Sequence, residues 1–127
     1  MWTVKIARTG AVLVDRAAKA ETLLARTIGL LGRRGLPDDE GLIFERCRSI
    51  HMVGMRFPID AVFVDRYWRV VRLLDRLAPW RLPMPVWEAW AVIELAAGRI
   101  AATGLQCGDQ LLLREPLNGE KIVDSYR

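Results

Sequence analysis

The sequence predicts a single α+β domain, built mainly from an antiparallel β-sheet that curls into a small barrel and carries two short helices. Three observations lead there. Segments that alternate apolar and polar residues outnumber segments with a helical period. Most connections between them are too short for a parallel crossover. So many short strands in 127 residues would leave exposed sheet edges unless the sheet closes on itself.

The composition, 52% hydrophobic and 27% charged with dispersed glycines and prolines, is that of an ordinary globular chain. At this length one core forms and buries roughly two thirds of the unfolded surface. The expectation is therefore one domain over residues 1–127, with a core of about 2–115 and a polar tail, 116–127, that frays. No apolar run approaches the roughly 18–20 residues that span a bilayer, and the start lacks the order of a signal peptide. Cytoplasmic residence follows as the expectation, with Cys47 and Cys107 reduced. The net charge of +4 rests on sixteen arginines against three lysines. These are scattered and interrupted by acids, whereas a nucleic-acid face clusters its charge, so neither nucleic acid nor membrane is the expected partner.

Trp2 to Ala7 alternates with period two, Arg8-Thr9-Gly10 supplies turn chemistry, and Ala11 to Val14 returns as the second arm of a hairpin. From Thr22 the period becomes helical: Leu24, Ile28 and Leu31 stack on one face, Thr22 is a plausible N-cap, and Gly32 stands where the helix ends. Leu36 to Gly41 is a loop whose three adjacent acids read as solvated surface. Gly41 to Arg46 is a strand. Ile59 to Val64 and Arg69 to Leu74 form a hairpin across Asp65-Arg66-Tyr67-Trp68. Residues 77–87 carry three prolines and read as an edge or loop, with Trp80 and Trp87 capping the core. Ala89 to Leu95 is a strand, Ala96 to Thr103 a helix ending at Gly104, and Gln110 to Arg114 a last strand after the Gly108-Asp109 turn.

Five ordered motifs then stand out: T-x-x-x-R-x-x-G-L-L-G-R, L-P-x-D-E-G-L-I-F, F-P-I-D-x-x-F-V-D, V-I-E-L-x-A-G and G-L-x-x-G-D, together spanning Thr22 to Leu112. In these the chain resembles the uncharacterised family called domain of unknown function number 192. The resemblance implies a compact β-rich α+β domain and brings no activity, cofactor or partner. Two departures matter. Where many members carry an aromatic-rich segment followed by Asn-Thr, this chain has Ile50 to Met55. Where members usually place glycine in the turn after F-V-D, it has Trp68, so that hairpin is expected to use a turn without positive φ there.

Chemistry concentrates in Cys47 to Asp65. His51, the one histidine, has an unperturbed pKa near neutrality and suits a base or ligand, or a structural bond to a carbonyl. Asp60 opens an apolar strand, where a carboxylate needs partners: backbone N–H groups, Arg46 or Arg56. The candidate binding set is His51, Arg56, Asp60 and Arg46; Asp65 and Asp109 read as clamp or turn residues. Cys47 four residues from His51 along a strand fixes no nucleophile, and Ser49 lacks a hydrolase elbow. No second histidine and no CxxC is present, so no metal and no cofactor is expected. The leading reading is a binding or accessory module that recognises a small ligand or partner protein through the 47–60 surface. The alternatives are an enzyme acting on an anionic small molecule with His51 and Asp60, and a weak nucleic-acid binder through scattered arginines.

Overall fold

Strand-forming patterns account for almost every element of the computed structural model, which describes residues 1–19, 35–50, 52, 55–81 and 85–115, and the backbone of 121–123. The helix expected from Thr22 to Gly32 lies outside the described residues, as does His51. The strands are β1 (Trp2–Ile6), β2 (Val12–Lys19), β3 (Glu40–Glu45), β4 (Ile59–Val64), β5 (Val70–Leu77), β6 (Ala91–Ala96), β7 (Leu111–Glu115) and β8 (Lys121–Val123). Among the described residues there is one helix, α1 (Arg99–Thr103). It starts later than the expected Ala96, because Ala96 is still paired with Ile59 in the sheet.

All eight strands join one sheet in the order β5-β4-β6-β3-β2-β1-β7-β8. The sheet is mixed, which corrects the mainly antiparallel expectation: β2 and β3 run parallel, from Arg16 opposite Glu40 to Lys19 opposite Ile43. The stretch between Lys19 and Glu40 is long enough for the crossover that parallel strands require. Gly41 sits in the middle of this arrangement, opposite Ala17 on β2 and Leu95 on β6. A Cβ there would meet Val14 Cγ2 at 3.0 Å and the Glu94 carbonyl oxygen at 3.1 Å, so the close approach of three strands requires glycine.

The expected barrel is a curled half-barrel. Among the described residues its two sides meet where Arg69 bridges Gln110. The Val70 N–H donates to the Asp109 carbonyl at 2.9 Å and the Leu111 N–H to the Trp68 carbonyl at 3.0 Å. These bonds occupy backbone groups that an open edge would leave unpaired.

Curling gives the sheet two buried faces. On the concave side Val4, Ile6, Val14, Ile43, Val62, Ile93 and Leu111 meet in one cluster to which α1 adds Ile100. On the other side Phe63, Ala61 and Ile59 of β4 and Val92 of β6 are covered by Ile50, Met52, Met55, Phe57, Val86 and Ala89. Strands β4 and β6 are buried at every position, which explains why each is apolar but for one acid, Asp60 and Glu94. The polar-and-apolar interleaving before Phe57 is that of a covering segment with an inner and an outer side. Trp80 and Trp87, expected to cap the core, are instead exposed at 64% and 72%.

The hairpin turn corrects a further expectation. Trp68 does adopt positive φ, 62°. The conformation is imposed from both sides: the Asp65 carboxylate accepts from the Tyr67 and Arg69 N–H groups at 2.8 and 3.0 Å, and the indole is buried in the concave core edge-on to Trp90.

Candidate functional site

Among the described residues of the proposed site, Asp60 alone is at zero exposure. Along β4 it alternates to the same side as Val62 and Val64, into the concave core. Its Oδ1 accepts from the Arg76 N–H and its Oδ2 from the Ile100 N–H, both at 2.8 Å. Each donor has lost its regular partner for a local reason. Pairing jumps from Ala61 opposite Leu74 to Ile59 opposite Leu77, a bulge in β5, and Arg76 within it takes φ 50°. Helix α1 begins after Gly98 with no side-chain cap, leaving its first amides without intrahelical acceptors. One carboxylate thus joins β4 to the β5 bulge and to α1. No guanidinium pairs with it among the described residues.

Asp109 has an equally full set of partners. Arg8 donates through Nε to Oδ1 at 2.8 Å and through a terminal nitrogen to Oδ2 at 3.0 Å, and the Gln106 N–H donates to Oδ2 at 2.8 Å. The Arg8 hydrogen bond holds the Asp109 carboxyl below its ordinary range, against the opposing effect of burial. Because the folded value is depressed, the contribution is fully present above the unfolded value near 4 and is lost as pH falls through the folded one. In a pH series of urea midpoints, the wild type is expected to lose stability more steeply below about pH 4 than Asp109→Asn does. Parallel slopes would show that this carboxylate is not linked to folding.

Arg56 is exposed in the bend before β4 and makes no hydrogen bond or ion pair among the described residues. It is not brought to Asp60. Arg46, by contrast, belongs to a recess that sequence reasoning missed. Strands β3 and β4 both run antiparallel to β6, and Glu45 and Val64 both face Ala91. The residues just beyond those two strands, Arg46 and Arg66, therefore flank Trp90 just ahead of β6. Arg48 completes the group, its Nε donating to the Ala89 carbonyl at 3.2 Å. The recess has a volume of about 370 Å³ and is lined by Arg46, Arg48, Arg66, Ala89 and Trp90. Among the described residues three arginines and no carboxylate line it. The signal was available in outline, since E-R-C-R and V-D-R each follow a strand, but only the β3-β6-β4 order brings them together.

The described residues contain no group of three or more His, Cys, Asp or Glu side chains able to hold a metal ion. Of the adjacent acids Asp38, Asp39 and Glu40, Asp39 reaches Arg16 at 3.8 Å and Glu40 opens β3. Cys47 Sγ donates to the Ser49 carbonyl oxygen at 3.0 Å. Among the described residues no helix is long and apolar enough to cross a membrane.

Two solved structures share the fold. A protein of unknown function from Novosphingobium aromaticivorans DSM 12444 is 29% identical with a TM-score of 0.73, over 87% of this chain and 81% of that one. A protein from Sinorhizobium meliloti 1021, provisionally described as a transcription regulator, is 24% identical with a TM-score of 0.73, over 87% of this chain and 89% of that one; at that identity it speaks for the fold alone. No curated protein matches the chain. The family model of DUF192, described as uncharacterized ACR, matches residues 4–113, nearly the whole described sheet, and the chain belongs to that family.

Proposed function

We propose that this chain is a binding or accessory module that engages a small anionic ligand, or an anionic group of a partner protein, at the Arg46, Arg48 and Arg66 end of the sheet. The observation that carries the reading is the recess itself: three arginines and a tryptophan line it, with no acid among the described lining residues. This moves the binding surface relative to the 47–60 stretch. Of its described residues, Ile50, Met52, Met55 and Phe57 are turned into the core and Arg48 lines the recess. The enzyme alternative loses its second residue, because both Asp60 oxygens already hold backbone amides and are buried. Cytoplasmic residence belongs to the same reading, and the exposed Cys107 thiol suits a reducing compartment.

The test is a thermal-shift comparison of small organic and inorganic anions against matched neutral compounds at constant ionic strength. An anion at 100 times its dissociation constant adds about 2.7 kcal/mol. Stabilisation by anions, absent with their neutral counterparts, is the expected result. Equal response to both, or to neither, refutes the assignment.

A further inference from the structure

We infer that the recess takes a phosphoryl group, the terminal monoester phosphate of a small molecule up to about nucleotide size; this rests on the anion-binding reading above. A single carboxylate brings one negative charge, which leaves most of the charge of three guanidiniums uncompensated. A phosphate monoester offers three strong acceptor oxygens and a charge of about −1.5 to −2 near neutral pH, which suits a recess lined by three arginines.

The backbone that carries these arginines is held in advance, and with it the Arg48 side chain. Arg48 is tied through Nε to the Ala89 carbonyl, which leaves its terminal nitrogens for a ligand. Arg46 leaves β3 with φ 54°, and the next amide, Cys47 N–H, donates to the Trp90 carbonyl at 2.9 Å, so its exit beside Trp90 is fixed. Arg66 stands in the turn that Asp65 braces, and the Asp65 Oδ1 is engaged by the Tyr67 and Arg69 amides. Glu45, next to Arg46, is met by Lys19 at 3.4 Å. Neither Arg46 nor Arg66 has an ion-pair partner among the described residues.

The volume of about 370 Å³ lies within the range of small-molecule sites and exceeds what a phosphate alone fills. Trp90, half-buried, is the apolar wall on which the remainder of the ligand rests. A nucleic-acid backbone fits less well, since its phosphodiesters carry one charge each and call for cations strung along a path.

Isothermal titration calorimetry at fixed ionic strength tests this with inorganic phosphate, AMP, adenosine, citrate and a short single-stranded DNA lacking terminal phosphates. The proteins are wild type, Arg66→Ala and Arg66→Lys, each first shown to melt near the wild-type temperature. AMP is expected to bind more tightly than inorganic phosphate and at least about tenfold more tightly than citrate, with no binding of adenosine. Arg66→Ala should weaken AMP about 10- to 100-fold. Arg66→Lys, which keeps the charge but loses the fork, should restore part of it. Citrate equal to or tighter than AMP would overturn the phosphoryl assignment and leave the anion reading standing, whereas silence from every anion would overturn both. AMP affinity unchanged in Arg66→Ala, or salt-sensitive DNA binding that AMP does not displace, also rejects the proposal.

Discussion

Asp60→Ala is expected to destabilise the fold by about 3–5 kcal/mol, since it leaves the buried Ile100 amide and the part-buried Arg76 amide without acceptors at roughly 1–3 kcal/mol each before any charge-assisted gain is counted. Domains of this kind are stable by about 5–15 kcal/mol in total, so the loss is a large share. The effect should be specific in chemistry as well as size. Asp60→Asn keeps one carbonyl oxygen and turns an NH2 toward the other amide, so it should cost roughly half as much as the alanine change. Urea unfolding of the two variants, with the slope monitored to confirm the same unfolded reference, measures both numbers. A loss under about 1 kcal/mol in Asp60→Ala would mean that the β5 bulge and α1 do not depend on the carboxylate. Intact stability with lost anion binding would return Asp60 to the site.

How much of this was legible in the sequence differs by element. Period-two alternation placed β1, and apolar segments bounded by turn residues placed β4, β5 and β7, both properties of local sequence. The β2–β3 parallel pair was not legible. It depends on what the chain does between Lys19 and Glu40, and on Gly41 letting three strands approach, which one glycine in a sequence does not announce. Asp60 was recognisable as a carboxylate in need of partners, but their identity depends on a bulge and a helix start far along the chain. The recess was hidden for a related reason. Arg46 and Arg66 become neighbours of Trp90 only through the strand order, and scattered arginines look the same whether or not the fold gathers them. Trp80 and Trp87 misled in the opposite sense: large aromatic residues beside prolines suggest a core cap, yet they are exposed.

At Trp68 the residue's preference and its burial pull in opposite directions, which makes the position a quantitative test. Left-handed backbone costs a non-glycine residue about 1–2 kcal/mol, and the indole here is 6% exposed, packed in the concave core with its centroid 5.8 Å from that of Trp90 at 85°. Truncating a buried aromatic side chain costs about 3–5 kcal/mol, so packing exceeds strain and the native tryptophan is retained. Trp68→Ala loses the packing and keeps the strain, whereas Trp68→Gly loses the packing and releases the strain. Both are expected to be less stable than wild type, with the glycine variant above the alanine variant by about 1 kcal/mol, the reverse of their usual order within a strand. Because the Leu111 N–H donates to the Trp68 carbonyl, loosening this turn also loosens the contact between β5 and β7, and faster amide exchange at Val70 and Leu111 should accompany the loss. Alanine equal to or more stable than glycine would show that the backbone at this position is not held at positive φ in solution. The half-barrel would then need another account of how its two ends meet.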